Sequence, residues 1–263
     1  MTNTRTAIIT GTTSGIGTAL CQLLLRNKYN IICINRNEQT ADEIRSGLLE
    51  QFPEAKITNF TADLSDLVQI EAVAAKISKQ CKTIDLLFNN AGVLIPTKMM
   101  SAQGVEMHFA VNTIAPYFLT KLLLPQMSAA EKSAVIISGS GARKMVDSLE
   151  VGQLSNPKDF KVMSGAYAQS KAAVSLIFSC LQQQKHEGDI LFSTIDLPAT
   201  KTRMAKSPAM PTVFKLFSFM FSSPQKSAQK LYAAAISRSQ VAAFEAPRQT
   251  RKKLLELVEH IVN

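Results

Sequence analysis

The sequence predicts a doubly wound parallel α/β sheet with helices on both faces, built as a single domain. Three observations carry this. Short apolar runs alternate with longer amphipathic ones along the 263 residues, the pattern of repeated βαβ units. A glycine-rich turn, Thr10-Gly11-Thr12-Thr13-Ser14-Gly15-Ile16-Gly17, follows the first apolar run and opens a helix. No linker, internal repeat or low-complexity tract interrupts the alternation, and a chain of this length fits one α/β unit.

Taken in order, residues 6–10 read as the first strand and 15–27 as the helix that follows. A buried strand is expected at 30–35, then a polar helix to about Gln51. Residues 56–60 and 66–80 form the next strand and helix, and 84–88 a strongly apolar fourth strand. A long helix spans 108–127, a fifth strand 134–138, a helix from Tyr167 to about Gln184, and a sixth strand 190–195. The stretch Pro208–Pro224 breaks the rhythm, with Met210, Phe214, Phe217, Phe219, Met220 and Phe221 between prolines. A core-packing helix, a lid over an apolar substrate and a membrane-surface patch all fit it.

Composition narrows the function classes. The chain is 46% hydrophobic and 19% charged, which suits a sizeable core. Its net charge of +9 raises nucleic acid as a partner, but the cations are scattered, with Arg251-Lys252-Lys253 the densest run, and no binding signature accompanies them. Cys21, Cys33, Cys81 and Cys180 form no Cys-x-x-Cys pair, and no histidine stands beside them, so no metal site is expected and free thiols in a reducing compartment are. The first strand is expected to begin by Arg5, so no signal peptide is expected, and no apolar run is long enough to span a bilayer. A cytoplasmic location is the resulting expectation.

Two constellations carry chemistry. In the glycine turn, Gly11 allows the tight turn, and Gly15 and Gly17 allow close approach of backbone, helix or cofactor. The helix N-terminus offers unpaired N–H groups to a pyrophosphate, in the Rossmann-type manner. At the end of the second strand stand Asn35 and Arg36 rather than a carboxylate. A guanidinium there can pair with a 2′-phosphate, which favours NADP(H) over NAD(H). The second constellation is Tyr167 and Lys171, four apart on one helical face. A phenol titrates near ~10, and a neighbouring ammonium lowers that value toward neutral pH, making Tyr167 a candidate general acid or base.

In order along the chain stand TGTTSGIG, Asp63-Leu64 after the third strand, Asn89-Asn90-Ala91-Gly92 after the fourth, Asn112, Ser140, Tyr167-Ala168-Gln169-Ser170-Lys171, and Pro198 after the sixth. This series resembles the short-chain dehydrogenase/reductase superfamily over nearly the full length. Gly104–Thr120 (GVEMHFAVNTIAPYFLT), Ser223–Ala235 (SPQKSAQKLYAAA), the basic terminal helix from Arg251 and the long insertion between Ser140 and Tyr167 resemble its retinol-dehydrogenase-like branch. The terminal helix carries no Trp, which that branch usually has there, and no N-terminal membrane anchor is expected.

The resemblance implies that Gly11, Thr13, Ser14, Gly15, Ile16 and Gly17 cradle phosphates, and that Asp63 and Leu64 contact adenine. It further implies that Asn90, Ala91 and Gly92 line the ribose side, and that Asn112, Ser140, Tyr167 and Lys171 form a catalytic tetrad. Asn112 would support a water relaying protons to Lys171, and Ser140 would hold the substrate oxygen. Ser138 is a second candidate serine, but the family pattern favours Ser140, just past the strand. Where the family has Pro-Gly and then a threonine at the nicotinamide, this chain has Pro198-Ala199-Thr200-Lys201-Thr202, so either threonine can serve, with Thr202 preferred. His108 is expected to be a packing residue, and His186 and His260 to lie exposed without a role.

The expectation is an NADP(H)-dependent oxidoreductase acting on an apolar carbonyl or alcohol. Its cofactor half would span about 1–130, and its catalytic and substrate half about 131–263, with a lid at about 205–224. The rival reading is a non-catalytic NADP(H)-binding regulatory or scaffold protein. A homodimer through the helices carrying Asn112 and Tyr167, as relatives often form, is the default expectation, and a weak contact with a membrane surface stays open.

Overall fold

Among the described residues six strands form one wholly parallel sheet, running across it from the third strand of the chain to the second, first, fourth, fifth and sixth. The computed structural model describes residues 5–13, 15–202, 205, 207–210, 221–238 and 244–263. β1 (Thr6–Thr10), α1 (Ile16–Arg26), β2 (Asn30–Asn35), α2 (Glu38–Gln51), β3 (Ile57–Thr61), α3 (Leu67–Gln80) and β4 (Leu86–Asn89) build the first half. The chain then forms a short helix α4 (Met107–Phe109), a π-helical stretch Ala110–Ile114, and α5 (Ala115–Ser128). β5 (Ser133–Ser140), α6 (Val151–Leu154), a second π-helical stretch Val162–Tyr167, α7 (Ala168–Gln183) and β6 (Ile190–Leu197) follow. Two helices, α8 (Pro224–Ser237) and α9 (Arg248–Val262), close the described chain.

Apart from the edge strand β3, the strands are largely apolar on both sides because both faces are covered. Ala7, Ile9, Ile31 and Cys33 pack with α1, α2 and α8, while Ile8, Ile32, Leu87 and Val135 pack with α3, α5, α7 and α9. The strand order reverses between β1 and β4, which opens a crevice at their carboxyl ends. Asn90 spans it, donating from Nδ2 to the carbonyls of Thr10 and Gly11 at 3.1 Å each.

Several expected boundaries shift. β3 sits one residue later than the predicted 56–60. Ile84 gives its N–H to the Gln126 carbonyl of α5, so the β4 ladder starts beyond it. β5 runs through Ser140 instead of stopping at Ser138, because Gly139 lies so close to β6 that a Cβ there would meet Asp196 Oδ1 at 2.9 Å. The expected long helix at 108–127 widens into π geometry around Asn112, whose side chain is bound on three sides.

Cys21 and Cys33, distant in sequence, bring their Sγ atoms to 3.9 Å across the α1–β2 interface as free, buried thiols. The outer side of α5 and α7, where a second copy was expected to dock, is partly covered by α9. Its Leu254 and Val258 are buried in that core, and its Glu259 bonds Tyr117 and Lys121 of α5. No described helix is long and apolar enough to cross a membrane. Of the Phe/Met-rich stretch, Phe214, Phe217, Phe219 and Met220 lie outside the described residues, so the expected lid at about 205–224 falls largely outside them too.

Candidate active site

A cleft of about 950 Å³ runs along the carboxyl ends of the strands. That is at the upper end of the roughly 300–1,000 Å³ usual for small-molecule and cofactor sites. Its floor is built by backbone constraint. Gly11 adopts φ 72°, left-handed geometry that a side chain would strain, and a Cβ there would come within 3.0 Å of Ala91 Cα. Gly17 lies against the turn itself: a Cβ would stand 2.1 Å from the Gly11 carbonyl oxygen. Gly15 caps α1 at φ 52°. Together these bring the helix N-terminus to the cleft, the arrangement suited to a pyrophosphate.

At one end of the cleft lie Arg36, Asp63 and Leu64, with Thr13 and Ile16 beside the glycine turn. Asn35 also reaches the cleft, but its side chain is turned inward. Its Oδ1 accepts from the Thr12 N–H at 2.8 Å and its Nδ2 donates to the Thr12 hydroxyl at 2.8 Å. It therefore braces the glycine turn, and Arg36 lies exposed beside it at the cleft. Asn90, Ala91 and Gly92 line the middle. Ser14 lies outside the described residues.

At the other end Ser140, Tyr167 and Lys171 face the same space, drawn together from β5 and the start of α7. The Ser140 hydroxyl hydrogen-bonds the Tyr167 phenol, whereas the Ser138 hydroxyl is given to Asn90 Oδ1 at 3.3 Å. Burial pushes the Tyr167 phenol above its ordinary value, and the Ser140 bond only opposes this. The phenol of the free site is thus raised and not lowered as expected. The Lys171 ammonium donates instead to the Ser138 carbonyl at 3.0 Å and lies 6.0 Å from the Tyr167 ring centroid. Burial also pulls Lys171 down to about 8, partly opposed by the Asp196 carboxylate.

Asn112 stands behind the wall. Its Oδ1 accepts from the Val93 N–H at 2.8 Å, and its Nδ2 donates to the Val93 carbonyl and the Ser170 hydroxyl at 3.1 Å each. Both amide protons are thus committed, which leaves the backbone of its π-helical stretch for any role with water. Pro198, Ala199, Thr200 and Thr202 line the cleft. The Thr200 hydroxyl is bound to the Pro198 carbonyl and the Ser227 hydroxyl, while the Thr202 methyl lies against Gly15.

Two features escaped sequence reading. His108 is fully buried, as expected of a packing residue, but both of its ring nitrogens are hydrogen-bonded, one to Glu106 and one to Ile95 of the cleft wall. Arg143 Nε bonds both carboxylate oxygens of Asp196, at 3.0 and 2.9 Å, tying the turn after Ser140 to β6. A carboxylate in an otherwise uncharged, mostly buried strand was a signal that a cation had to meet it. His186 is part-buried, bonded to the Leu181 carbonyl at 2.7 Å and packed on Phe192, and not exposed as expected; His260 is exposed. Among the described residues no group of three or more His, Cys, Asp or Glu could hold a metal ion.

Apart from Ser207, the rest of the lining is apolar and includes Leu94, Ile95, Val111, Met145, Met163, Met210 and Phe221.

The family model for short chain dehydrogenase matches residues 5–210. Human retinol dehydrogenase 13 is 28% identical over 236 residues, 86% of this chain and 70% of its own length. Human polyprenol dehydrogenase is 30% identical over 182 residues, 68% of this chain and 55% of its own. For several other relatives the matched share of their length is 52% to 59%, so the chain spans little more than half of them. Among solved structures, a short-chain dehydrogenase from Sphingobium yanoikuyae in complex with NADPH superposes with a TM-score of 0.73 at 20% identity. That match covers 97% of this chain and 94% of the other.

Proposed function

The chain belongs to the short chain dehydrogenase family, a family of oxidoreductases, and we propose that it is an NADP(H)-dependent enzyme interconverting an apolar carbonyl compound and its alcohol. The observation that carries this reading is the meeting of Ser140, Tyr167 and Lys171 at one end of a cleft whose other end is the glycine turn and Arg36. The glycine cradle fits a dinucleotide, since the lack of side chains at Gly11 and Gly17 lets the turn close against Ala91 and α1 and hold the helix N-terminus at the cleft.

Gly11, Thr13, Ser14, Gly15, Ile16 and Gly17 hold the phosphates, Asp63 and Leu64 the adenine, and Arg36 the 2′-phosphate that separates NADP(H) from NAD(H). Asn90, Ala91, Gly92, Pro198, Ala199 and Thr202 line the rest of the cofactor's path. The cofactor supplies or accepts the hydride when bound. Ser140 orients the substrate oxygen, and Tyr167 gives it a proton in reduction or takes one in oxidation. Because burial favours the neutral phenol, the free site is set as a proton donor, which suits carbonyl reduction. Lys171, anchored on the Ser138 carbonyl, supplies the positive charge that favours phenolate as that proton leaves. Asn112 holds the Val93 loop and the π-helical backbone through which a relay water would reach Lys171.

The apolar lining supports a lipid-like, aromatic or terpenoid substrate, and two relatives carry the names of apolar alcohols, retinol and polyprenol. The test is oxidation of NADPH, and separately NADH, by the purified protein with pooled aldehydes and ketones. Turnover with NADPH that falls ~10²–10⁴-fold in Tyr167→Phe, at unchanged NADPH affinity, is the expected result. Tight NADPH binding with no turnover across apolar carbonyls would turn the reading toward a cofactor-binding scaffold.

A further inference from the structure

We propose that Glu106 and His108 are positioning residues that fix the substrate wall of the cleft through the backbone of Ile95. Ile95 lines the cleft, and its N–H donates to His108 Nε2 at 3.0 Å. That nitrogen must therefore be the unprotonated one, so the ring proton sits on Nδ1 and is donated to Glu106 Oε1 at 2.7 Å. The second carboxylate oxygen accepts from the backbone N–H groups of His108 and Phe109, at 2.9 and 3.1 Å. Glu106 is 1% and His108 0% exposed, so the chain of bonds is shielded from water and each link fixes the next.

The wall is gripped twice by the same stretch of chain, His108 holding Ile95 and Asn112 holding Val93. Between them, the Leu94 carbonyl accepts from the Ser207 hydroxyl at 3.0 Å, which joins this wall to the segment carrying Met210 on the far side. The imidazole also packs edge-on against Tyr167, with ring centroids 6.2 Å apart. One buried ring thus sets the distance between the phenol and the apolar wall. Loosening it changes the fit of bulky substrates without touching the cofactor end.

The specificity part rests on the proposed reductase activity, so the test has a readout independent of turnover. Hydrogen exchange at the Ile95 amide is compared in wild type, His108→Leu, which has no acceptor, and His108→Gln, which restores one acceptor and one donor. The Leu variant is expected to exchange ~10-fold or more faster at Ile95 with β4 amides unaffected, and the Gln variant to return toward wild type. In turnover, KM for benzophenone is expected to shift ~5-fold or more in the Leu variant, with KM for propanal and the NADPH affinity unchanged and rescue by Gln. Should the wild type not turn over, benzophenone affinity measured by calorimetry with NADPH bound replaces KM. Unchanged exchange at Ile95 overturns the proposal, as does a lowered melting temperature with no selective effect on benzophenone, which would make the pair a plain structural brace.

Discussion

The Lys171 ammonium donates to the backbone carbonyl of Ser138 at 3.0 Å, so the charge beside Tyr167 is moored to the sheet. Its mooring is buried, and burial pulls Lys171 down to about 8. Below that pH the proposed positive partner of Tyr167 is present; above it the charge is lost. Carbonyl reduction, followed as kcat/KM, is therefore expected to fall as pH rises through about 8. The Asp196 carboxylate favours the charged lysine, so Asp196→Asn is expected to move this fall to lower pH. An unmoved or raised limb in that variant would refute the assignment to Lys171.

The cofactor end yields a steric prediction. At Gly17 even a methyl group would stand 2.1 Å from the Gly11 carbonyl oxygen, and that contact is backbone, which cannot rotate away. Gly17→Ala is expected to destabilise the fold by ~1–3 kcal/mol or more and to weaken NADPH binding, because the turn must shift away from α1. Thermal unfolding and a cofactor titration read the two effects. Gly152→Ala is the control, since nothing lies within 4 Å of a Cβ there.

Arg36 tests cofactor choice. It is exposed at the cleft, whereas its neighbour Asn35 is spent on Thr12. A charge-assisted bond to a phosphate is worth ~1.5–3 kcal/mol, so Arg36→Asp is expected to weaken NADPH by ~10–100-fold and to favour NADH. The wild-type affinity for NADPH should also drop with salt more steeply than that for NADH. Equal losses for both cofactors would place Arg36 elsewhere than at the 2′-phosphate.

What could be read from the sequence was whatever the backbone imposes locally. The first two strands and the glycine turn were legible because Gly11 and Gly17 answer to conformation and close approach, and alternation gave the parallel order its logic. The side-chain partnerships were not. Asn35 meets Thr12, and Cys21 meets Cys33, only once β2 lies beside β1 and α1. Glu106 and His108, two apart, would point to different sides of a regular helix. They meet because Glu106 stands just outside α4 as its cap. Ser140 was expected past the strand from the family pattern, yet Gly139 lets β5 continue against β6 as far as Ser140.

The terminal helix α9 bears on the expected homodimer. Leu254 and Val258 are 1% and 0% exposed in the core they share with α5 and α7, and Glu259 is bonded to Tyr117 and, at 2.6 Å, to Lys121. A second copy seated on that face would have to displace these contacts. Removing the Leu254 side chain is expected to cost ~2–5 kcal/mol, the usual range for a buried leucine cut to alanine. The wild type should sediment as a monomer, and Leu254→Asp, which sets a charge in the same core, should free α9 and give larger species. A wild-type dimer whose mass is unchanged by Leu254→Asp would mean that pairing uses another face and that α9 does not govern it.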